Sequence, residues 1–323
     1  MTTPVSRTCF ILALHSLGED VLRTPMTKKQ TIWLDSFELT LTDITRVELA
    51  ALHTLSVSVR WPHREEDWEM MLKLGHGWAL QDSIGRVVGT AMWFPYGGAF
   101  MTIGMVMTTP RLQASGGAHW LMKHVMAEAE HRAIGLNATN EALRLYHRLG
   151  FNAERTVYQR SGVATAPLPA HAPVNGNLRR MLEDDLPELI RLDRMAFGAS
   201  RAGLLKDLRE LADSDRVLCR DGRIVAFSFC RPFGRGHVIG PVIATCVEDA
   251  IAVIAPLVAL HAGDNLRIDT RETEGAFVDF LWASGLPIYD TVTTMSLGQR
   301  WTKPLLPDKE HPHSFALASQ TLG

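Results

Sequence analysis

The hydrophobic and polar positions of the chain predict one order of strands and helices that occurs twice. Residues 37–41 (FELTL) alternate as a strand, and Thr42 and Asp43 then stand where a helix cap is expected. Residues 178–182 (LRRML) and the acidic residues 183–185 open the second half in the same way. A helix is predicted after each cap from apolar residues at helical spacing, namely Ile44, Val47, Leu49, Ala51 and Leu52 in the first half and Leu186, Leu189, Ile190 and Leu192 in the second.

The similarity of the two halves continues through three further pairs of segments. The matching segments are residues 85–91 (GRVVGTA) and 222–228 (GRIVAFS), residues 103–107 (IGMVM) and 239–243 (IGPVI), and residues 135–139 and 265–270. Each has the composition of a strand, and the second and third pairs lead toward helices. This internal repetition predicts an α/β (α+β) protein with two similar domains, each a mixed, mostly antiparallel sheet flanked by helices.

The domain boundaries follow from length and composition. Residues 163–177 (VATAPLPAHAPVNGN) are rich in alanine and proline and are predicted to form an extended linker. A length of 323 residues also favours two domains over one. The predicted units are therefore residues 31–162 and residues 178–300, followed by a tail over residues 301–323. Residues 1–30 are expected to be a leader outside the fold, of which the first 25 are either poorly ordered or not translated.

Composition narrows the class of protein. A hydrophobic fraction of 46% is enough for two cores, and a formal net charge of −2 gives no general attraction to nucleic acid or to an anionic membrane. The apolar run at residues 9–14 is too short to span a membrane. The cysteines lack paired spacing, which predicts reduced thiols in a cytoplasmic protein and no metal site; they are Cys9, Cys219, Cys230 and Cys246.

A loop of small residues in the first half has the chemistry of an anion site. Gly116 and Gly117 stand just before a helix predicted over residues 119–132. At the start of a helix the backbone N–H groups are free and the helix dipole is positive, so a phosphate or pyrophosphate can bind there. The alternative is that the glycine pair serves only to start the helix.

Two motifs in this region resemble those of the GNAT acetyltransferases. Residues 113–118 (QASGGA) are similar to the Q/R-x-x-G-x-G/A loop with which that family cradles the pyrophosphate of CoA. Residues 145–151 (LYHRLGF) are similar to its L-Y-x-x-L-G-F signature and follow at the expected spacing. The second half resembles the C-terminal GNAT-like domain of tandem acetyltransferases. The chain has neither a Walker loop nor a dinucleotide-binding fingerprint.

The resemblance implies which residues contact acetyl-CoA. Residues 105–107 would pair with the pantetheine arm and would supply a backbone N–H to the oxyanion. The family has a basic residue and a glycine where this chain has Ala114 and Ser115, so Arg111 is expected to supply the charge. The predicted CoA-binding residues are Met105, Val106, Met107, Arg111, Gln113, Ala114, Ser115, Gly116, Gly117, Ala118, Thr139 and Asn140.

The resemblance also implies that Tyr146 is the general acid that protonates the CoA thiolate. A phenol with an ordinary pKa of about 10 is a reasonable acid for a thiolate whose own basicity is slightly lower. The alternative is that Tyr146 is a core aromatic residue on an amphipathic helix.

The acceptor site is expected at residues 61–68 (WPHREEDW). His63, whose ordinary pKa is about 6.5, is the candidate base that relays a proton from the amine. The alternative is that this segment is a helix cap at the surface with its tryptophans packed inward. Aromatic residues of the next strand are expected in the same pocket, which would suit a small cationic amine if its rim is acidic. The predicted substrate contacts are Trp61, Arg64, Trp68, Phe94 and Tyr96.

The second half lacks both functional motifs. Residues 245–250 (TCVEDA) contain no glycine and two carboxylates, which would repel a pyrophosphate, and Leu281 stands where Tyr146 is in the first half. Residues 234–241 (GRGHVIGP) are rich in glycine but precede a strand, so they are predicted to form a hairpin. We therefore expect a retained fold without catalysis, which covers the acceptor pocket or forms dimer contacts.

The sequence thus predicts a cytoplasmic, acetyl-CoA-dependent N-acetyltransferase that transfers an acyl group directly to a primary amine of a small molecule. Two alternatives stay open, a non-catalytic acyl-CoA sensor or scaffold and a protein N-acetyltransferase. Acetyl-CoA is the expected co-substrate, no metal is expected, nucleic acid and membranes are not expected partners, and a homodimer is left open. The identity of the acceptor does not follow from the sequence, because fold says little about function.

Overall fold

Strands and helices alternate in the first half of the chain as the hydrophobic pattern predicts. The computed structural model describes residues 30–34, 37–113, 115–166, 175–302 and 311–323, and the predicted leader lies almost wholly outside them. The elements of the first half are β1 (Gln30–Leu34), β2 (Phe37–Asp43), α1 (Leu49–Ser58), α2 (Glu65–Leu74), β3 (His76–Gln81), β4 (Val87–Tyr96), β5 (Phe100–Thr108), α3 (Gly117–Ala127), β6 (Ala133–Ala138), α4 (Leu143–Arg148) and β7 (Asn152–Val163).

The second half repeats this order from β2 onward, which confirms the predicted internal repeat. Its elements are β8 (Asn177–Arg179), α5 (Leu186–Phe197), α6 (Ala202–Leu211), β9 (Ser214–Arg220), β10 (Arg223–Phe233), β11 (Gly236–Ala244), α7 (Val247–Leu260), β12 (Asn265–Thr270), α8 (Ala276–Ala283) and β13 (Ile288–Leu297). A further strand, β14 (His313–Ala316), follows the repeat.

The predicted cap at Asp43 is present, but it begins a shorter element than expected. The backbone N–H of Thr45 donates to Oδ1 of Asp43 at 3.0 Å, and the capped element is a single turn of 3-10 helix, Ile44–Arg46. Helix α1 begins only at Leu49. Ile44 and Leu52 are nonetheless both fully buried. The apolar spacing therefore predicted the buried positions correctly, although the predicted helix is interrupted.

The strands of the described residues form one sheet in which the two halves exchange a strand. The order is β1-β2-β3-β4-β5-β6-β13-β7-β12-β11-β10-β9-β8, and β14 pairs with β11. Strand β13 of the second half lies between β6 and β7 of the first half and is antiparallel to both. Strand β7 in turn pairs with β12 of the second half. The predicted linker therefore divides the sequence but does not divide the sheet.

Each half contains one parallel pair at the centre of an otherwise antiparallel set of strands. In the first half β5 and β6 are parallel from Phe100 opposite Ala133 to Ile103 opposite Leu136. In the second half β11 and β12 are parallel at His237 opposite Leu266 and at Val238 opposite Arg267. Both pairings are short, so the two strands of each pair diverge beyond them.

Residues 311–323 are part of the interior, which corrects the prediction that residues 301–323 form a tail. Strand β14 pairs with β11, and Leu317, Ala318 and Leu322 are buried. The Tyr96 hydroxyl donates to the Leu322 carbonyl at 2.9 Å. Arg201, whose side chain forms a buried ion pair with Asp193, also donates to the Leu322 carbonyl. We call residues 311–323 the closing segment.

The hydrophobic core is shared by the two halves. One cluster contains Leu52 and Trp68 of the first half together with Leu205 and Phe229 of the second and Leu322 of the closing segment. Among the helices of the described ranges, none is both long enough and apolar enough to cross a membrane. Cys219, Cys230 and Cys246 are free thiols.

Candidate active site

Strand β5 leaves part of its backbone without a strand partner. Its parallel pairing with β6 ends at Ile103, while its antiparallel pairing with β4 is shifted by an irregularity between Thr90 and Met92. At this irregularity Met105 has a φ of 51°, and the Thr90 hydroxyl donates to the Met105 carbonyl at 2.8 Å. A positive φ is unusual for a residue with a side chain and marks backbone that its surroundings hold in place. The result is an open edge on the β6 side of residues 105–107.

The loop beyond β5 ends in an uncapped helix start. A 3-10 turn, Pro110–Leu112, leads to Ser115, whose N–H and hydroxyl both donate to the Leu112 carbonyl. Gly116 then has a φ of 99°, a conformation that favours glycine, and α3 begins at Gly117 with no side-chain cap. The first N–H groups of α3 therefore have no helical partner and can donate to an anion.

Basic and small residues surround this helix start. Arg111 is exposed and forms no ion pair with any described residue, so its charge is available to a bound pyrophosphate. Gln113 is exposed, Ala118 is half-buried, and Ala114 lies outside the described residues. The geometry fits the expected pyrophosphate site, although α3 ends at Ala127 and is shorter than predicted.

A cavity of about 540 Å³ lies beside the open edge of β5. The first half contributes Met105 and Val106 of β5 together with residues of β6, α4 and the α1–α2 loop. The second half contributes the β10–β11 hairpin, β12 and the start of β13, and the closing segment contributes residues 319–321. Six predicted site residues meet at this cavity, namely Trp61, His63, Met105, Val106, Thr139 and Tyr146.

Tyr146 presents a phenol to the cavity from helix α4. Its side chain is 5% exposed and its ring packs edge-on against Phe151, with the ring centroids 5.9 Å apart. Burial raises the pKa of Tyr146 well above its ordinary value. The hydroxyl makes no hydrogen bond within the described chain, so it is free to donate to a ligand in the cavity.

His63 lines the same cavity, between the rings of Trp61 and Phe233. The ring centroids are 5.5 Å and 5.4 Å away, and Phe233 meets the imidazole nearly at a right angle. Burial lowers the pKa of His63 from 6.5 to about 4; Asp67 opposes this effect, and the charges of Arg267 and Arg231 add to it. His63 is therefore a neutral imidazole at neutral pH, and its Nδ1 is buried without a hydrogen-bond partner in the described residues.

Comparison with known protein families identifies both halves. The model of the acetyltransferase (GNAT) domain matches residues 73–153, and a second model of the same description matches residues 189–305. The chain is a tandem member of the GNAT acetyltransferase family.

Proteins with similar sequence or fold match more than four fifths of the chain. The Bacillus subtilis protein named uncharacterized N-acetyltransferase YitH is 26% identical over 85% of this chain and 98% of its own length. A candidate acetyltransferase of Pyrococcus horikoshii has a similar crystal structure, with a TM-score of 0.71, 17% identity and coverage of 88% of this chain and 96% of that one. A tandem GNAT protein from the clavulanic acid pathway superposes with a TM-score of 0.57 at 11% identity, covering 81% and 99% of the two chains.

Several residues predicted at the acceptor site of the GNAT domain belong to the core instead. Trp68 is fully buried and its indole N–H donates to the Ser56 hydroxyl at 3.3 Å. Phe94 lies in the hydrophobic cluster that the two halves share, and the hydroxyl of Tyr96 is held by the closing segment. Arg64 forms an ion pair with Asp67 at the start of α2. Aromatic side chains are common both in hydrophobic cores and in ligand pockets, so their spacing in the sequence could not show which of these environments they occupy.

Apart from the residues at the start of α3, two further predicted CoA contacts do not line the cavity. Met107 is buried in the core, as expected for the side chains of this strand, which leaves only its backbone for pairing. Asn140 is exposed beyond the end of β6, one residue after Thr139, which does line the cavity.

The second GNAT domain has the same splayed strands, but the closing segment fills the gap between them. Strand β14 pairs with β11, the Thr270 hydroxyl donates to the Phe315 carbonyl, and the N–H of Leu317 donates to the Asp269 carbonyl at 2.8 Å. A Cβ at Gly240 would lie 2.0 Å from the Leu317 carbonyl oxygen, so this glycine permits the close approach. Gly104, at the matching position of the first domain, meets the side chain of Thr321 in the same way.

The helix start of the second domain is occupied by carboxylates. Glu248 and Asp249 lie in the first turn of α7, where Asp249 is buried, accepts from the Thr245 hydroxyl and forms an ion pair with Arg220 at 2.7 Å. Leu281, the counterpart of Tyr146, is fully buried. These contacts support the expectation that the second domain has no CoA site.

The sequence analysis left open whether the second domain covers the acceptor pocket or forms dimer contacts, and it did not name the second-domain residues that line the cavity. The predicted hairpin is confirmed as the β10–β11 turn, and its Gly234 N–H donates to Oδ2 of Asp67 at 3.0 Å. The hairpin therefore docks on the α1–α2 loop beside His63. Its composition gave a signal, since residues 234–236 combine two glycines with an arginine, but no local pattern showed which part of the first domain it would meet.

Potential metal ligands, which the sequence did not predict, meet at one end of the second domain. His237 lies 2.9 Å from Asp213, and its ring centroid is 4.0 Å from that of His261. Cys230 and Asp264 complete two overlapping groups around His261. These residues are spread over some fifty positions without ligand spacing, so sequence motifs could not reveal the group.

Proposed function

We propose that the first domain transfers an acetyl group from acetyl-CoA directly to a primary amine of a small molecule. The observation that carries the proposal is that three features meet at one cavity, namely the open edge of β5, the free hydroxyl of Tyr146 and the neutral imidazole of His63. The uncapped start of α3 lies just beyond the same strand and suits the pyrophosphate of CoA.

The proposed reaction forms a bond between the amine nitrogen and the acetyl carbon and breaks the bond between that carbon and the CoA sulfur. His63 accepts a proton from the ammonium form of the acceptor and, because its pKa is low, passes it on to solvent. A backbone N–H of residues 105–107 stabilises the oxyanion of the tetrahedral intermediate. Tyr146 gives its proton to the departing thiolate and recovers one from the newly bonded nitrogen.

The size of the cavity favours a small acceptor over a protein segment. A volume of about 540 Å³ lies within the range of about 300–1,000 Å³ that is usual for small-molecule sites. Walls from both domains and from the closing segment limit what can enter.

A titration followed by a turnover assay tests the proposal. Calorimetry with acetyl-CoA should give a stoichiometry of one per chain, because in the described part of the second domain the closing segment pairs with β11 and carboxylates lie in the first turn of α7. A thiol-release assay should then show CoA formation that depends on a small primary amine. A chain that does not bind acetyl-CoA would contradict the whole proposal. A stoichiometry of two would contradict the assignment of the site to the first domain alone.

A further inference from the structure

The cavity has the opposite sign of charge from the chain as a whole. Arg60, Arg235 and Arg267 line it, and Asp290 is its one acidic lining residue among the described parts of the chain. The chain itself has a formal net charge of −2. The rim is therefore not the acidic one that would suit a purely cationic amine.

Two of these arginines come from different domains. Arg60 follows α1 in the first domain, and Arg235 is at the tip of the β10–β11 hairpin in the second. The hydrogen bond from Gly234 to Asp67 holds the hairpin tip against the first domain. Both arginine side chains are exposed, and neither forms an ion pair with a residue in the described ranges. Both charges are thus available to a ligand that enters between the domains.

A fourth arginine, which does not line the cavity, adds a buried positive charge near it. Arg231 is 1% exposed and packs against Phe233, and its side chain has a single hydrogen bond within the described ranges, from Nη2 to the Ala318 carbonyl at 3.0 Å. Its Nε and Nη1 have no partner in the described residues. Burial lowers the pKa of Arg231 to about 10, so the group is still charged at neutral pH.

The carboxylates near Arg231 already have arginine partners. Asp67 is paired with Arg64, and Asp269 is paired with Arg267 at 2.9 Å. Arg231 is left as a buried cation that forms no ion pair with any residue the structure describes, an arrangement that is costly unless an anion is nearby. The field of Arg231 reaches the cavity, because it contributes to the lowered pKa of His63.

We propose that the acceptor is a primary amine that also carries a carboxylate, as an amino acid does, and that Arg60 and Arg235 bind this carboxylate in the field of Arg231. This inference rests on the proposed function and names the acceptor class of the same site. Arginine is suited to the role because its planar guanidinium can bind a carboxylate through two parallel hydrogen bonds.

A carboxylate in this position would also assist the chemistry. Its negative charge would offset the effect of Arg267 and Arg231 on His63, so the pKa of the imidazole would rise while the acceptor is bound. The same arginines favour the uncharged form of the acceptor amine, which is the form that attacks. An acceptor without the carboxylate would meet the arginines but leave His63 a weaker base.

Matched pairs of acceptors test the inference. The probes are a panel of L-amino acids and the corresponding amino acid amides, which have the same side chain and amine but no carboxylate. We expect the kcat/KM for the acids to exceed that for the amides by about tenfold or more, the usual scale for hydrogen bonds to a charged group. The Arg60→Gln and Arg235→Gln variants should each lose most of this preference while keeping the KM for acetyl-CoA.

Arg46→Gln is the matched control, because Arg46 is an exposed arginine that does not line the cavity, and it should keep the preference. Amides that react as well as the acids, with normal binding of acetyl-CoA, would overturn this inference and leave the proposed function standing. If both variants still prefer the acids over the amides, Arg60 and Arg235 do not bind the carboxylate. Absence of CoA release with every acceptor would overturn the proposed function itself.

Discussion

Two side chains of the cavity have pKa values that burial moves in useful directions. Burial raises the pKa of Tyr146 and lowers that of His63, so at neutral pH the phenol is protonated and the imidazole is not. An uncharged acid and an uncharged base can therefore face the same substrate without forming an ion pair with each other. A reaction in which one substrate atom loses a proton and another gains one needs an acid and a base whose pKa values are shifted apart in this way.

Replacement of Tyr146 by phenylalanine tests the assigned acid. The ring and its packing on Phe151 would be kept, and only the hydroxyl, which has no partner in the described chain, would be lost. We expect kcat to fall by about a hundredfold, within the usual range for a general acid, with an unchanged Kd for acetyl-CoA. The control is Tyr158→Phe, since Tyr158 lies on β7 and does not line the cavity. Equal loss of binding and turnover in Tyr146→Phe would assign the hydroxyl to substrate binding.

At the scale of single elements, the same strand geometry serves two purposes. Strands β5 and β11 both diverge from a parallel neighbour, and each has a glycine at the point of divergence. Beside β11 the gap is filled by the backbone of the closing segment, whereas beside β5 the closing segment approaches through residues 319–321 without pairing as a strand, and the edge stays open to the cavity. Whether the gap beside such a strand is open to a ligand therefore depends on whether the closing segment occupies it.

The start of α3 gives a prediction at this scale. Gly116 has a left-handed φ of 99° and little near it, so Gly116→Asp combines about 1 kcal/mol of backbone strain with a carboxylate where a pyrophosphate would bind. We expect calorimetry to detect no acetyl-CoA binding. Gly263→Asp is the control, because Gly263 has a φ of 95° with open space around it in the second domain. If the two variants bind acetyl-CoA equally well, the loop does not hold the pyrophosphate.

For the whole molecule, the exchanged strands make the two domains one folding unit. Without the second half, β6 loses β13, and β7 loses both β13 and β12. Buried residues such as Val157 and Leu136 would then be exposed to water.

A protease site placed within residues 167–174 tests this dependence, because a cut there breaks no described strand. We expect the nicked chain to elute as one species in size-exclusion chromatography and to unfold in a single thermal transition. Residues 30–166 expressed alone should be insoluble or unfolded. A soluble fragment of this kind that bound acetyl-CoA would show that the first domain does not need the exchanged strand.

The parts of the molecule that the sequence predicted are those encoded locally. Each segment of the repeat, the glycine loop before α3 and the motif around Tyr146 can be recognised from a few consecutive residues. The structure brings Tyr146 to a cavity beside β5. The exchange of β13 and the burial of Tyr96 by Leu322 depend on contacts between distant parts of the chain, which no short pattern contains. The second-domain residues that line the cavity were not identified for this reason, since they meet the first domain only through contacts between distant parts of the chain.

The strand exchange also bears on how such a chain can change over generations. Each half of the chain contributes a strand to the sheet of the other half, so deletion of either half would disrupt both. Strand β13 belongs to the second half but pairs with β6 of the first half, which has the open strand edge. A substitution in β13 therefore acts on the first half as well as on its own. The two halves are therefore constrained to change together, because each completes the sheet of the other.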